Sequence, residues 1–304
     1  MIEKATEDRI GEIRQIWRLC FPLEDPRYTE FFFKYIFKVE NCFVNIQEDK
    51  IVSVILRNPR TIMFNDRVLA TSMLVGAATL PSEQNKGYMT SLMHTVLDAC
   101  ENSELITLIQ TETPDLYEPF GFRTIYKRQD YTLERKDLKQ ITNFGCAYEP
   151  SAIDLLKVYS AFIMRFNGFY PRDLEYFNLY KKQMVAVGGK IVAYYDEKNR
   201  IRGYAVMIPQ GNELRVEELV YLDSMALMKL VNAALQERRK VHLLVSEAED
   251  FRTFFPNAEV KKYSSTMVRL NDANLFSRVF NKKVTTVEEA FALTHKPLNL
   301  NEWE

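Results

Sequence analysis

Between Leu74 and Met93 the chain reads LVGAATLPSEQNKGYMTSLM: an apolar strand, Pro81, a polar loop carrying Lys86 and Gly87, and then a helix. This order of residue types suits the binding of a pyrophosphate, and equally an ordinary strand–loop–helix corner. After Gly87, the residues Met89, Leu92, Met93, Val96, Leu97 and Cys100 recur at the spacing of one helical face, so the first helical turn opens into the loop. The first N–H groups of a helix have no intrahelical partner, and the macrodipole adds roughly half a positive charge there. Gly87 has no Cβ to obstruct an approaching oxygen, and Lys86 adds a full charge. A second candidate for chemistry is Tyr117 in DLYEPFGF, directly beyond an apolar strand. A phenol with a pKa of about 10 stays protonated at neutral pH and can protonate a thiolate of similar basicity. Tyr117 equally suits packing against Phe120 and Phe122. Glu112 beside it is a candidate base acting through water, or a solvated carboxylate.

The elements that must position these residues read as two copies of one plan. Helices are predicted over 6–20 and 25–37, strands over 41–47, 50–58 and 67–79, then the Gly87 helix, a strand over 104–111, a short turn near 114–119 and a strand over 122–133. Asp49-Lys50 is the expected turn of the first hairpin. From 151 the order repeats: helices over 151–165 and 172–184, strands over 189–196, 200–208 and 213–221, a helix over 224–238, and strands over 241–246 and 259–269. In the second copy the strand ending at Tyr221 enters its helix through Leu222-Asp223-Ser224, with Asp223 as N-cap and nothing in place of the Pro81–Gly87 loop. One cofactor site, in the first copy, is therefore expected. The fold class is α/β (α+β), two tandem domains each with a mixed, mostly antiparallel sheet flanked by helices. The expected bounds are 1–135, a linker at 136–150, 151–270, and a C-terminal helical or extended tail at 271–304.

Composition narrows the function classes. The chain has 304 residues, 47% of them hydrophobic and 27% charged, with a formal net charge of −1, which gives no basic field for nucleic acid. No apolar run is long enough for a membrane span, and the N-terminus reads as an amphipathic helix rather than a signal peptide. Cys20, Cys42, Cys100 and Cys146 form no CxxC pair, and His94, His242 and His295 are scattered, so no metal and a cytoplasmic protein are expected. The aromatic-dense helix with Tyr28, Phe31, Phe32, Phe33, Tyr35 and Phe37 is read first as core, with some rings left to line an acceptor pocket.

Gln84-Asn85-Lys86-Gly87-Tyr88-Met89, following Ala77-Ala78-Thr79-Leu80-Pro81, resembles the acetyl-CoA loop of the GCN5-related N-acetyltransferases (GNAT), written R/Q-x-x-G-x-G/A. Gln84 fits the first position. Met89 departs from the small residue at the last, as members of the Eis-like branch do in an R-G-K-G-Y-M run. The LYEPFGF stretch is similar to the L-Y-x-x-F-G-F pattern whose tyrosine is usually assigned as general acid. Asn167-Gly168-Phe169-Tyr170-Pro171-Arg172-Asp173, with Tyr176 beyond it, resembles the N-G-x-x-x-R-D/S-x-x-Y segment of the Eis-like central domain. The resemblance covers residues 1–270 and implies a tandem GNAT protein with acetyl-CoA as cosubstrate.

By that resemblance the loop N–H groups of Asn85, Lys86, Gly87, Tyr88, Met89 and Thr90 would hold the pyrophosphate, Gln84 would belong to the same cofactor site, Ala77, Ala78 and Thr79 would meet the pantetheine arm, and Tyr117 would be the acid. The implied activity is direct acetyl transfer to a primary amine of a small molecule or protein, with a non-catalytic CoA-binding sensor or assembly protein as the alternative; a homo-oligomer is compatible with either. Eis-like members add a C-terminal sterol-carrier-like domain whose final carboxylate serves as proposed base. The residues after Leu270 are too few for that domain, so this role is not carried over, and the base is left open between Glu112, the Glu304 carboxylate with Trp303 as anchor, and water.

Overall fold

The computed structural model describes residues 1–302; Trp303 and Glu304, the expected anchor and candidate carboxylate, lie outside the described residues. In chain order, β1 (Ile2–Lys4), α1 (Ile10–Cys20), α2 (Pro26–Tyr35), β2 (Cys42–Gln47), β3 (Lys50–Phe64), β4 (Arg67–Thr79), α3 (Tyr88–Glu101), β5 (Ile106–Gln110) and β6 (Arg123–Glu134) precede β7 (Cys146–Tyr148). There follow α4 (Ala152–Ile163), α5 (Leu174–Ala186), β8 (Lys190–Tyr195), β9 (Ile201–Gln210), β10 (Glu213–Tyr221), α6 (Ser224–Glu237), β11 (Lys240–Ser246), β12 (Glu259–Leu270), α7 (Ala273–Phe280) and α8 (Val287–Phe291). The fold is mixed α/β with mostly antiparallel strands flanked by helices.

The described chain forms two compact units, one of Met1–Ile125 with Ser264–Thr294, the other of Tyr126–Tyr263 with His295–Glu302. These differ from the bounds read in chain order because the last strand of each copy pairs with the other copy's strands. In the first unit β5 is closed by the end of β12, with Ile106 opposite Leu270 and Gln110 opposite Thr266. In the second unit β6 pairs with β11, Glu134 opposite Lys240 and Arg128 opposite Ser246. The segment expected as a linker is also part of the second unit: β7 pairs with β8, and Leu138 is buried in that unit's core.

The first unit orders its strands β1-β2-β3-β4-β5-β12. Its β2–β3 turn centres on Glu48 and Asp49, both at positive φ, one residue earlier than expected. Strand β3 runs past Pro59 to Phe64 rather than ending at residue 58. Pairing with β2 stops at Leu56, so at Pro59 only β4 is a neighbour and one side of the missing N–H faces no strand. Phe64 at the hairpin tip packs on Phe276, Phe280 and Phe291, at ring separations of 6.3, 5.5 and 4.9 Å. The segment expected as a tail is thus, in α7 and α8, part of this unit's core.

The aromatic helix α2 starts at Pro26, with the Asp25 carboxylate accepting from the Arg27 N–H. Tyr28, Phe31, Phe32 and Phe33 are buried, and Tyr35 is exposed. Their focus is Trp17 of α1, stacked on Phe32 at 4.8 Å and edge-on to Phe33 at 5.5 Å. Trp17 in turn lies against Gly76 of β4. Gly76 has φ +61°, and a Cβ there would stand 2.0 Å from Trp17 Cζ3, so the position admits only glycine. Gly76 and Ala77 form the bulge that interrupts the β3–β4 register between Val54 and Leu56. Gly76→Ala is expected to destabilise the protein by about 3 kcal/mol from backbone strain and overpacking, read as a lower urea midpoint; an unchanged midpoint would show that the bulge can relax.

Candidate functional site

The bulge at Gly76 begins the site. Strands β4 and β5 pair in parallel only over Ser72–Thr107, Met73–Leu108 and Leu74–Ile109. Beyond Leu74, β4 continues through Ala77 and Ala78 to Thr79 without β5 as a partner. The strands part here and leave a backbone edge where an extended chain can bind. The Thr79 carbonyl is already engaged, accepting from Cys20 Sγ at 3.2 Å and Gln84 Nε2 at 3.4 Å. Of the other expected pantetheine contacts, Ala78 lies opposite Val54 of β3 and is buried, and Ala77 lies in the bulge.

After a 3-10 turn at Pro81–Glu83, the loop passes through Asn85 at φ +63° and Gly87 at φ +80°, and α3 starts at Tyr88. Gly87 is the N-cap residue, no side chain caps the first turn, and that turn holds no acidic residue. A Cβ on Gly87 would meet nothing within 4 Å, so the space over the turn is open. Lys86 is no free charge: its ammonium bonds to Glu83 at 2.9 Å, which raises its pKa and keeps it protonated. The two charges cancel locally, and the attraction for an anion rests on the first-turn N–H groups of Tyr88, Met89 and Thr90. Met89 packs inward on the core cluster with Leu92, Met93 and Val96, which explains how a large side chain is tolerated there.

Tyr117 packs against the same cluster, as does Ala77, so one set of apolar contacts positions strand edge, helix start and phenol. The tyrosine follows a 3-10 turn at Pro114–Leu116, and its ring meets Phe122 edge-on at 6.3 Å. Gly121, at φ +86°, closes the corner, and Arg269 Nε donates to the Phe120 carbonyl at 3.0 Å. Burial raises the Tyr117 pKa, which keeps the phenol a proton donor. Glu112 is exposed, and His94 is exposed on the outer face of α3. Cys42 and Cys100 are buried thiols, each pushed up to about 12 by desolvation, and unsuited to nucleophilic work. Among the described residues no cluster of His, Cys, Asp and Glu could hold a metal ion, and no helix is long and apolar enough to cross a membrane.

In the second unit the helix start is capped and the gap between the parted strands is occupied. Strands β10 and β11 pair in parallel from Leu214–Val241 to Val216–Leu243 and then part at a bulge before Glu218. Helix α6 is capped by Asp223, which accepts from the Ala226 N–H at 2.9 Å and is paired with Arg202. The segment His295–Glu302 lies against the parted strands. Asn167 N–H donates to the Pro297 carbonyl, Asn299 N–H to the Gly168 carbonyl, and Ser246 Oγ to the Leu298 carbonyl, while Leu300 is fully buried. Only about 10 Å³ remains between the strands and Asn299 and Asn301, room for one water.

Arg172 fixes this segment. Its guanidinium pairs with Glu218 at 2.5 Å and Glu302 at 3.5 Å and donates to the Asn301 carbonyl at 3.1 Å, and Tyr176 donates to Glu302 at 2.7 Å. The Asn167–Tyr176 motif therefore receives the chain's own segment His295–Glu302. Sequence reasoning missed this pairing and the Gly76 bulge; a glycine inside an apolar strand was the available signal for the latter. Arg172→Met is expected to destabilise the second unit by about 3–5 kcal/mol, since Glu218 and Glu302 would be left buried without their cation. Urea unfolding checks this, and a change under about 1 kcal/mol would contradict the pairing's role.

Residues 1–125 match the family model described as an acetyltransferase (GNAT) domain. No curated protein matches the sequence. Among solved structures the chain is similar in fold to a probable N-acyltransferase from Enterococcus faecalis, with 15% identity, a TM-score of 0.74, and coverage of 89% of this chain and 72% of the other. A GCN5-related N-acetyltransferase from Anabaena variabilis gives 16% identity, a TM-score of 0.74 and coverage of 90% and 73%. Eis1 from Mycobacterium abscessus gives 15%, 0.68, and 91% and 75%. Residues 1–125 thus carry the match to the GNAT acetyltransferase domain, and the chain shares its mixed α/β fold with these solved structures, Eis1 among them.

Proposed function

We propose that the chain is an acetyl-CoA-dependent N-acetyltransferase that transfers acetyl directly to a primary amine of a small molecule or protein. The observation that carries this reading is the uncapped, glycine-initiated start of α3 beside the parted β4 and β5, with the Tyr117 phenol on the same apolar cluster. The fit to acetyl-CoA is chemical: first-turn N–H groups of Tyr88, Met89 and Thr90 suit the pyrophosphate, and the β4 edge at Ala77 and Ala78 suits the amide-bearing pantetheine arm. The second unit, with its capped α6 and filled cleft, serves structure or acceptor selection.

Acetyl-CoA supplies an acyl thioester, and transfer to an amine forms a C–N bond while the C–S bond breaks. Tyr117 Oη gives its proton to the departing sulfur, and the raised pKa holds that proton in place until the sulfur carries charge. The proton released by the amine passes to water, with the exposed Glu112 available as relay. The free cysteines fit a cytosolic enzyme, and the near-balanced net charge fits a small-molecule or protein acceptor rather than nucleic acid.

Tyr117→Phe removes one hydroxyl from a packed ring. Thiol release from acetyl-CoA with a responsive amine is expected to fall about 10²-fold or more in kcat, with CoA affinity unchanged. Unchanged turnover would remove Tyr117 from the chemistry. CoA binding by the wild type without thiol release across a panel of amines would favour a non-catalytic CoA-binding protein.

A further inference from the structure

We propose that Asn45 is a positioning residue for the cofactor-binding turn, an inference that rests on the reading of α3 as the pyrophosphate site. Asn45 lies on β2 and is only 2% exposed. Its Nδ2 donates to the Tyr88 carbonyl at 3.2 Å, and its Oδ1 accepts from Gln47 Nε2 at 2.8 Å. A buried hydrogen-bonded tether thus runs from the sheet to the first residue of α3.

The tether holds the turn in a way that spares its donors. A side-chain cap fixes a helix start by occupying first-turn N–H groups, as Asp223 does for α6. Asn45 takes hold of a carbonyl instead, so the N–H groups of α3 stay available while the turn is fixed against the sheet. Its neighbours show that packing alone does not account for it. Asn45 is opposite Ser53, and Ser53 opposite Thr79, so the three share one face of the sheet. Ser53 is fully buried, and among the described residues neither Ser53 Oγ nor Thr79 Oγ1 has a hydrogen-bond partner. Two residues along the same face, Phe43 and Ile55 belong to the apolar cluster beneath α3. A polar strip in this place costs stability that apolar residues would not, and such local conflict is a mark of functional constraint.

The test compares Asn45→Leu, which keeps the volume and loses the donor, Asn45→Asp, which also adds negative charge, and Gln47→Ala, which removes the support. Titration calorimetry with CoA is expected to show Kd raised about tenfold in Asn45→Leu, more in Asn45→Asp and several-fold in Gln47→Ala. The KM for acetyl-CoA should rise in parallel, with kcat and the acceptor KM within about twofold. Wild-type affinity in folded Asn45→Leu, or a loss confined to kcat, would overturn the positioning role alone. A wild-type chain that binds no CoA would overturn the underlying cofactor reading and this role with it. If the Asn45 variants do not fold, Gln47→Ala decides: a raised Kd supports the tether, and an unchanged one refutes it.

Discussion

The site depends on one steric constraint, the contact of Gly76 with the Trp17 ring. Because no Cβ fits there, β4 takes a left-handed turn in mid-strand, shifts register against β3 and continues free of β5 beyond Leu74. That departure leaves the end of β4 with an edge that β5 does not pair. The aromatic residues of α2 act through it, since they surround Trp17 and so hold the bulge from behind. Core packing and site geometry are here the same contacts.

The second unit shows the same strand arrangement with a capped helix. It repeats the parallel pair and its parting, yet a carboxylate caps its helix and the segment His295–Glu302 fills its cleft, clamped by Arg172. The buried guanidinium stays charged between two carboxylates, and the aromatic faces of Tyr159 and Tyr176 lie 4.5 and 4.6 Å from it. One scaffold thus supports an uncapped helix start and a capped one. The difference lies in a glycine against an aspartate at the N-cap, and in which chain segment meets the free strand edge.

Much of this was legible in the sequence because it is local. The helix after Gly87, the Asp223 cap and the Tyr117 corner each depend on residues a few positions apart, and all take the expected conformation. The duplicated element order was legible for the same reason. Strand exchange was not, because the pairing of β5 with the end of β12 joins segments whose patterns are equally satisfied by pairing within one copy. Lys86 was expected as a free charge because its residue type shows the charge and not the pairing with Glu83, which the loop conformation brings to 2.9 Å. The role of Arg172 was hidden for a similar reason: a buried arginine needs partners, and the Asn301 carbonyl and Glu302 are remote in sequence.

The central claim is that the helix start open in the first unit and capped in the second makes one cofactor site per chain. Calorimetric titration of the full chain with CoA measures this directly. The account predicts a stoichiometry of one that is lost when Gly87 is replaced by valine, whose Cβ branch would occupy the open space over the turn. Absence of binding, a stoichiometry of two, or undiminished binding by Gly87→Val would contradict it.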